Sequence, residues 1–92
     1  MMEGMMKQAE DAVWREVDNE IVVINSDGKK VHVFNKTAAY IWKMCTGEYR
    51  SDEIVTRLCE RYDVTMEKAT ADVNDMMIKM MEKGLLKRVD EL

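Results

Sequence analysis

Proline is absent from the sequence, and histidine and phenylalanine occur once each. Without proline, turns must be made from Gly, Asp, Asn and Ser. With one histidine, two cysteines and no Cys-x-x-Cys spacing, the usual ligand sets of a zinc centre are missing. No Ser/His/Asp or Cys/His constellation can be assembled, and no glycine-rich loop is present to cradle a phosphate. Nothing therefore points to an enzyme, and no cofactor or metal is implied. No apolar run approaches a membrane span, and the opening MMEGMMKQAE lacks the apolar stretch of a signal peptide. A cytoplasmic protein with no membrane partner is expected.

What is present fits one small domain. A chain of 92 residues buries one modest core and is marginally stable. The net charge of -4 argues against the basic face that nucleic-acid binding needs. Cys45 and Cys59 fall in helical patterns and read as small buried hydrophobes in a reducing compartment.

The chain is organised around residues 20–46, EIVVINSDGKKVHVFNKTAAYIWKMCT. Val22 to Ile24 and Val31 to Phe34 are strand-forming runs, and Ser26-Asp27-Gly28 between them is a turn signal. Asn35 is a good N-cap for the helix that follows. Upstream, residues 1–12 read as a flexible lead. Residues 13–92 form the domain, beginning with a short strand at 13–17 whose Trp14 covers the core. Asp18-Asn19 turns into the strand at 20–24. Helix one spans 36–45, with Ala38, Ile41, Trp42 and Cys45 as its buried stripe and Gly47 just past its end. Helix two spans 52–62 with Ser51 as a simple N-cap. Its apolar face is Ile54, Val55, Leu58, Cys59 and Tyr62. Thr65 caps helix three, which spans 66–83 and ends at Gly84. Ala69, Val73, Met76, Met77 and Met80 form one apolar face, which Met81 widens. One helix face cannot bury all the methionines equally, and Met76 and Met80 are read as core before Met77 and Met81. Residues 85–89 are an extended tail whose leucines fold back on the core.

The expected class is α+β: a winged helix-turn-helix with an N-terminal three-stranded antiparallel sheet followed by three helices. That shape has two common uses, placing a helix in DNA or docking a peptide. Glu67, Asp72, Asp75 and Glu82 on helix three oppose phosphate, which makes a winged-helix DNA-binding regulator the second reading.

The run Val33-Phe34-Asn35-Lys36-Thr37-Ala38-Ala39-Tyr40-Ile41-Trp42 resembles the strand-to-helix junction of the PqqD family. Gly47, the Leu58 to Tyr62 end of helix two, Asp72-Val73, and the closing Glu82-Lys83-Gly84-Leu85-Leu86 are similar to that family in the same order. The likeness covers roughly residues 14–89. PqqD belongs to pyrroloquinoline quinone biosynthesis, and its fold recurs in pathways that modify ribosomally made peptides. The resemblance implies a non-catalytic protein that binds the leader of a precursor peptide and presents it to a modifying enzyme, often a radical SAM enzyme. It also implies that the leader adds antiparallel to the strand at 30–34, in a groove against helix three.

An edge strand with unpaired N–H and C=O groups can accept a peptide strand, and pockets for alternate side chains then supply specificity. The candidate peptide-binding residues are Lys30, Val31, His32, Val33 and Phe34 on the strand. On the helix they are Asp72, Val73, Met76, Met77, Met80 and Lys83. Methionine adapts to irregular partners. Lys29 and Lys30 could steer an acidic leader. Val33 and Phe34 cannot share a strand face, so either pair, Val31/Val33 or His32/Phe34, can turn to the core. A monomer and an edge-paired homodimer are both compatible with the pattern.

Overall fold

The computed structural model describes residues 5–24 and 30–89. In chain order the elements are β1 (Met5–Gln8), β2 (Val13–Val17), β3 (Glu20–Ile24), β4 (Val31–Phe34), α1 (Lys36–Met44), β5 (Thr46–Arg50), α2 (Ser51–Arg61), α3 (Met66–Glu82) and β6 (Leu86–Arg88). The strands form two antiparallel sheets of three, ordered β2-β3-β4 and β5-β1-β6. The expected α+β arrangement, a three-stranded antiparallel sheet followed by three helices, is present. The second sheet was not expected.

The first sheet is pinned by its turn and by its pleat. Asp18 and Asn19 adopt φ of 50° and 69°, and Val17 pairs directly with Glu20. Two consecutive positive-φ residues are the geometry of a two-residue hairpin that matches strand twist. Ile21 lies opposite Phe34 and Val23 opposite His32. Ile21, Val23 and Phe34 are buried, whereas Val31 and Val33 are exposed. The His32/Phe34 face therefore turns to the helices, which answers the question the alternation left open. The Ser26-Asp27-Gly28 turn lies outside the described residues.

Each helix is stopped by a local device. The Asn35 side chain accepts the Ala38 N–H at 3.0 Å to start α1, and Thr65 Oγ1 accepts the Lys68 N–H at 3.1 Å to start α3. At the end of α3, Gly84 N–H donates to Met81 O and Leu85 N–H to Met80 O, with Gly84 at φ 74°. This is a Schellman closure, in which glycine escapes the penalty of left-handed backbone and the next residue, buried Leu85, packs back. The start of α2 differs from expectation. Its N-cap is Arg50, whose N–H donates to the Glu53 carboxylate at 2.9 Å, and Ser51 is the buried first residue of the helix.

Two further corrections concern the second sheet. The flexible lead expected over residues 1–12 does not describe residues 5–12. β1 is the central strand between β5 and β6, Met6 is fully buried, and Ala9 N–H donates to Leu85 O at 2.8 Å. Gly47 does follow α1 as expected, but the residues around it form a strand. Cys45 is the C-cap of α1, and Gly47, at φ 89°, sits inside β5, where an added Cβ would lie 3.2 Å from Val89 Cγ2. Gly47 is thus set by close approach of the tail as well as by its backbone angle.

The core joins both sheets to the helices. Trp42 is its centre, fully buried, with the Phe34 ring 5.6 Å and the Trp14 ring 6.3 Å away. Gln8 ties the layers together: its Nε2 donates to Trp42 O, and its Oε1 accepts from Trp14 Nε1. In α1 the buried set is Ala39, Ile41 and Trp42, with Ala38 only partly covered. In α3, Met77 is fully buried, reversing the expected order among the methionines, while Met76 and Met80 keep a little exposure.

Candidate functional site

β4 pairs with β3 on one side, and its other edge has no strand partner among the described residues. Beside its C-terminal end lies an open cleft of about 540 Å³ between the β4–α1 junction and α3. Phe34, Ala38, Ile41, Val64, Met76 and Met80 make it apolar, and Asn35, Thr37, Lys68, Asp72, Asp75 and Lys79 form its polar margin. The capping role of Asn35 turns the chain so that strand edge and helix both face the same cleft.

Charge along the margin is partly closed. Lys68 Nζ meets Asp72 Oδ1 at 2.9 Å, and that hydrogen bond and charge raise the Lys68 pKa. At the other end of β4, His32 is half-buried, and its pKa is lowered by desolvation, then by the nearby charges of Lys83 and Lys30. The imidazole is held neutral further into the acid range than a free histidine.

Of the residues expected to bind peptide, Phe34, Asp72, Met76 and Met80 line the cleft. Lys30, His32 and Lys83 do not line it, though the charges of Lys83 and Lys30 act on His32. Val73 and Met77 are sealed in the core at 1% and 0% exposure and do not reach it. Val31 and Val33 belong to the opposite sheet face, in cross-strand rows with Ile24 and Val22. They do not line the cleft.

Sequence reading missed Asn35, Thr37, Ala38, Ile41, Val64, Lys68, Asp75 and Lys79. For α3 a signal existed: Lys68, Asp72, Asp75 and Lys79 recur at helical spacing beside Met76 and Met80. For Ala38 and Ile41 none did, because a residue lining a cleft and a residue filling a core share one periodicity.

A second, smaller cleft of about 170 Å³ lies among Lys36, Tyr40, Lys43, Arg61 and Tyr62. Arg61 sits over the Tyr40 ring at 5.7 Å, and Lys43 is held by Glu16 at 3.0 Å. Glu16 of the edge strand β2 also lines it. Among the described residues no cluster of three or more His, Cys, Asp or Glu side chains could hold a metal ion, and no helix is long and apolar enough to cross a membrane.

A small antiparallel sheet with an open edge beside a helical cleft is an α+β arrangement that can accept an extended strand. The chain belongs to the PqqD family: the family model described as "Coenzyme PQQ synthesis protein D (PqqD)" matches residues 20–86. Two solved structures share its fold. TbiB1, determined in complex with the TbiA(beta) leader peptide, has a TM-score of 0.79 at 23% identity, covering 88% of this chain and 94% of that one. Lasso peptide synthetase B1, complexed with the leader peptide, has a TM-score of 0.79 at 17% identity, covering 91% and 99%. The heterocyclase TruD is similar with a TM-score of 0.64 at 17% identity, where 96% of this chain corresponds to 12% of that one. No curated protein matches the chain.

Proposed function

We propose that this chain is a non-catalytic peptide-binding protein that captures the leader of a ribosomally made precursor and presents it to a modifying enzyme in the cytoplasm. The carrying observation is the open β4 edge beside the apolar cleft of α3. The leader adds antiparallel to residues 30–34 and seats alternate side chains over Phe34, Ala38, Met76 and Met80. Each main-chain hydrogen bond contributes only about 0.5–1.5 kcal/mol net, and ordering a flexible peptide opposes binding. The apolar cleft must therefore supply the surplus. Membership of the PqqD family and the two leader-bound structures of the same fold support this reading. The three helices with β2–β4 as the wing are read as a winged helix-turn-helix used for peptide rather than DNA. The acidic positions of α3 support that choice, since Glu67, Asp75 and Glu82 are all exposed. A radical SAM enzyme is the proposed recipient of the bound peptide, and the embedding of a similar fold in a heterocyclase supports an enzyme partner in general.

The test is a titration of isotope-labelled protein with the synthetic leader of a precursor encoded beside this chain. Amide shifts should concentrate on residues 30–38 and on the cleft face of α3. Shifts confined to the Tyr40–Tyr62 cleft, or saturable binding that leaves β4 untouched, would sink the proposal.

A further inference from the structure

α1 separates two clefts that share no lining residue. Thr37, Ala38 and Ile41 line the apolar cleft beside β4, whereas Lys36, Ala39, Tyr40 and Lys43 line the smaller one of about 170 Å³. Positions 36, 39, 40 and 43 recur at helical spacing and form one side of the helix. A group seated in the smaller cleft therefore leaves the cleft beside β4 open.

The smaller cleft is basic, on a chain whose net charge is -4. Lys36, Lys43 and Arg61 line it against a single carboxylate, that of Glu16. Glu60 and Asp63 adjoin Arg61 and Tyr62 in sequence but do not line it. Lys43 Nζ is held by Glu16 at 3.0 Å. Lys36 and Arg61 are exposed and form no salt bridge among the described residues.

Aromatic packing fixes this wall. The Arg61 guanidinium lies 5.7 Å from the centre of the Tyr40 ring. That ring meets the Tyr62 ring edge-on, 5.8 Å away at 80°, and the Tyr62 hydroxyl donates to Lys36 O at 3.5 Å. An arginine resting on a ring keeps N–H donors for a carboxylate, and its orientation beforehand lowers the entropy lost on binding. A cavity of about 150 Å³ takes one benzene-sized group, so this cleft admits one acidic side chain rather than a length of peptide.

We propose that this cleft receives an Asp or Glu side chain from the surface of the modifying enzyme, with Lys36 and Arg61 as the cations that hold it. The inference rests on the leader-presenting function above. The basic lining selects a carboxylate, and the position across α1 from the leader's seat selects the enzyme as its bearer. Leader and enzyme can then be held together, one on each side of α1. An exposed ion pair strengthens binding by roughly two- to fivefold, so the two cations fix where the enzyme docks and contribute about tenfold to its affinity.

The experiment measures binding of the purified peptide-modifying enzyme encoded beside this chain to wild type, K36Q/R61Q and K36E/R61E, at low and at moderate salt. The leader is titrated into the same three proteins, and each is checked by melting curve and by sedimentation alone. Expected is a loss of enzyme affinity of about tenfold with K36Q/R61Q and a larger loss with K36E/R61E. Binding to wild type should weaken with salt more than binding to K36Q/R61Q. Leader affinity should stay within twofold throughout. Enzyme binding that is absent in wild type, or equal in all three proteins, would overturn the inference and leave leader binding standing. Self-association of wild type that K36E/R61E abolishes would give the cleft to a second copy and overturn it equally. If no leader binds any of the three, the leader-binding reading falls, while the enzyme titration still decides the role of Lys36 and Arg61.

Discussion

The ring of Phe34, the last residue of β4, lies 5.6 Å from the ring of Trp42 at an interplanar angle of 48°. That contact couples the binding edge to the centre of the core, because Trp42 is fully buried and Phe34 also faces the cleft. Phe34→Ala should therefore be costly. Loss of a buried aromatic typically costs about 3–5 kcal/mol, a large share of the stability of a domain this size. Urea unfolding followed by tryptophan emission should show the midpoint fall steeply. Phe34→Leu should recover most of it, and an alanine variant as stable as wild type would disprove the coupling.

β1 gives the next prediction. Its side-chain pattern is nearly illegible, because a four-residue strand of Met, Met, Lys and Gln has neither clear alternation nor β-branched residues. Yet it is the middle strand of the second sheet, with Met6 fully buried. A chain beginning at Val13 would leave β5 and β6 with unfilled edges and a cavity where Met6 sat. It should lose cooperative thermal unfolding or melt far lower. An unchanged calorimetric transition would show β1 to be dispensable.

The elements that were legible carry local signals of their own. Asn35 and Thr65 are of residue types preferred at helix N-caps, and β3 and β4 are rich in β-branched or aromatic residues. The His32/Phe34 choice was not legible because Val33 and Phe34 are both good core residues. Only the pairing of Phe34 with Ile21 and of His32 with Val23 decides it. The cleft was half legible. Met76 and Met80 belong to a visible stripe, but whether a methionine stripe ends in core or cleft depends on what α1 leaves uncovered.

Ala38 offers a test that separates binding from folding. It lines the cleft and is only partly buried, so a larger side chain can enter open space rather than the core. Ala38→Phe should block the leader, lowering its affinity at least about tenfold, while shifting stability by less than about 1 kcal/mol, or a few degrees in Tm. Calorimetric titration beside a melting curve checks both. Undiminished binding would place the peptide elsewhere.

The two thiols should differ in reactivity. Cys45 is fully buried, its Sγ–H donates to Ile41 O at 3.2 Å, and burial pushes its pKa up to about 12. Thiolate is the reactive form, so Cys45 should resist a disulfide reagent at pH 8 until the chain unfolds. Cys59 is partly exposed. Native protein should consume one equivalent quickly and the second only in denaturant. Two fast equivalents would contradict the packing around Trp42.

His32 sets a pH dependence whose sign follows from its environment. Desolvation, Lys83 and Lys30 lower its pKa below the ordinary 6.5. The folded state thus binds the proton more weakly than the unfolded one, and stability rises with pH across that window. The contribution is complete above the unfolded value and is lost as pH falls through the folded one. The ring proton resonances of His32 should titrate with a midpoint below 6.5 in wild type and move upward in Lys83→Gln. A midpoint insensitive to Lys83→Gln would show that the Lys83 charge does not act on His32.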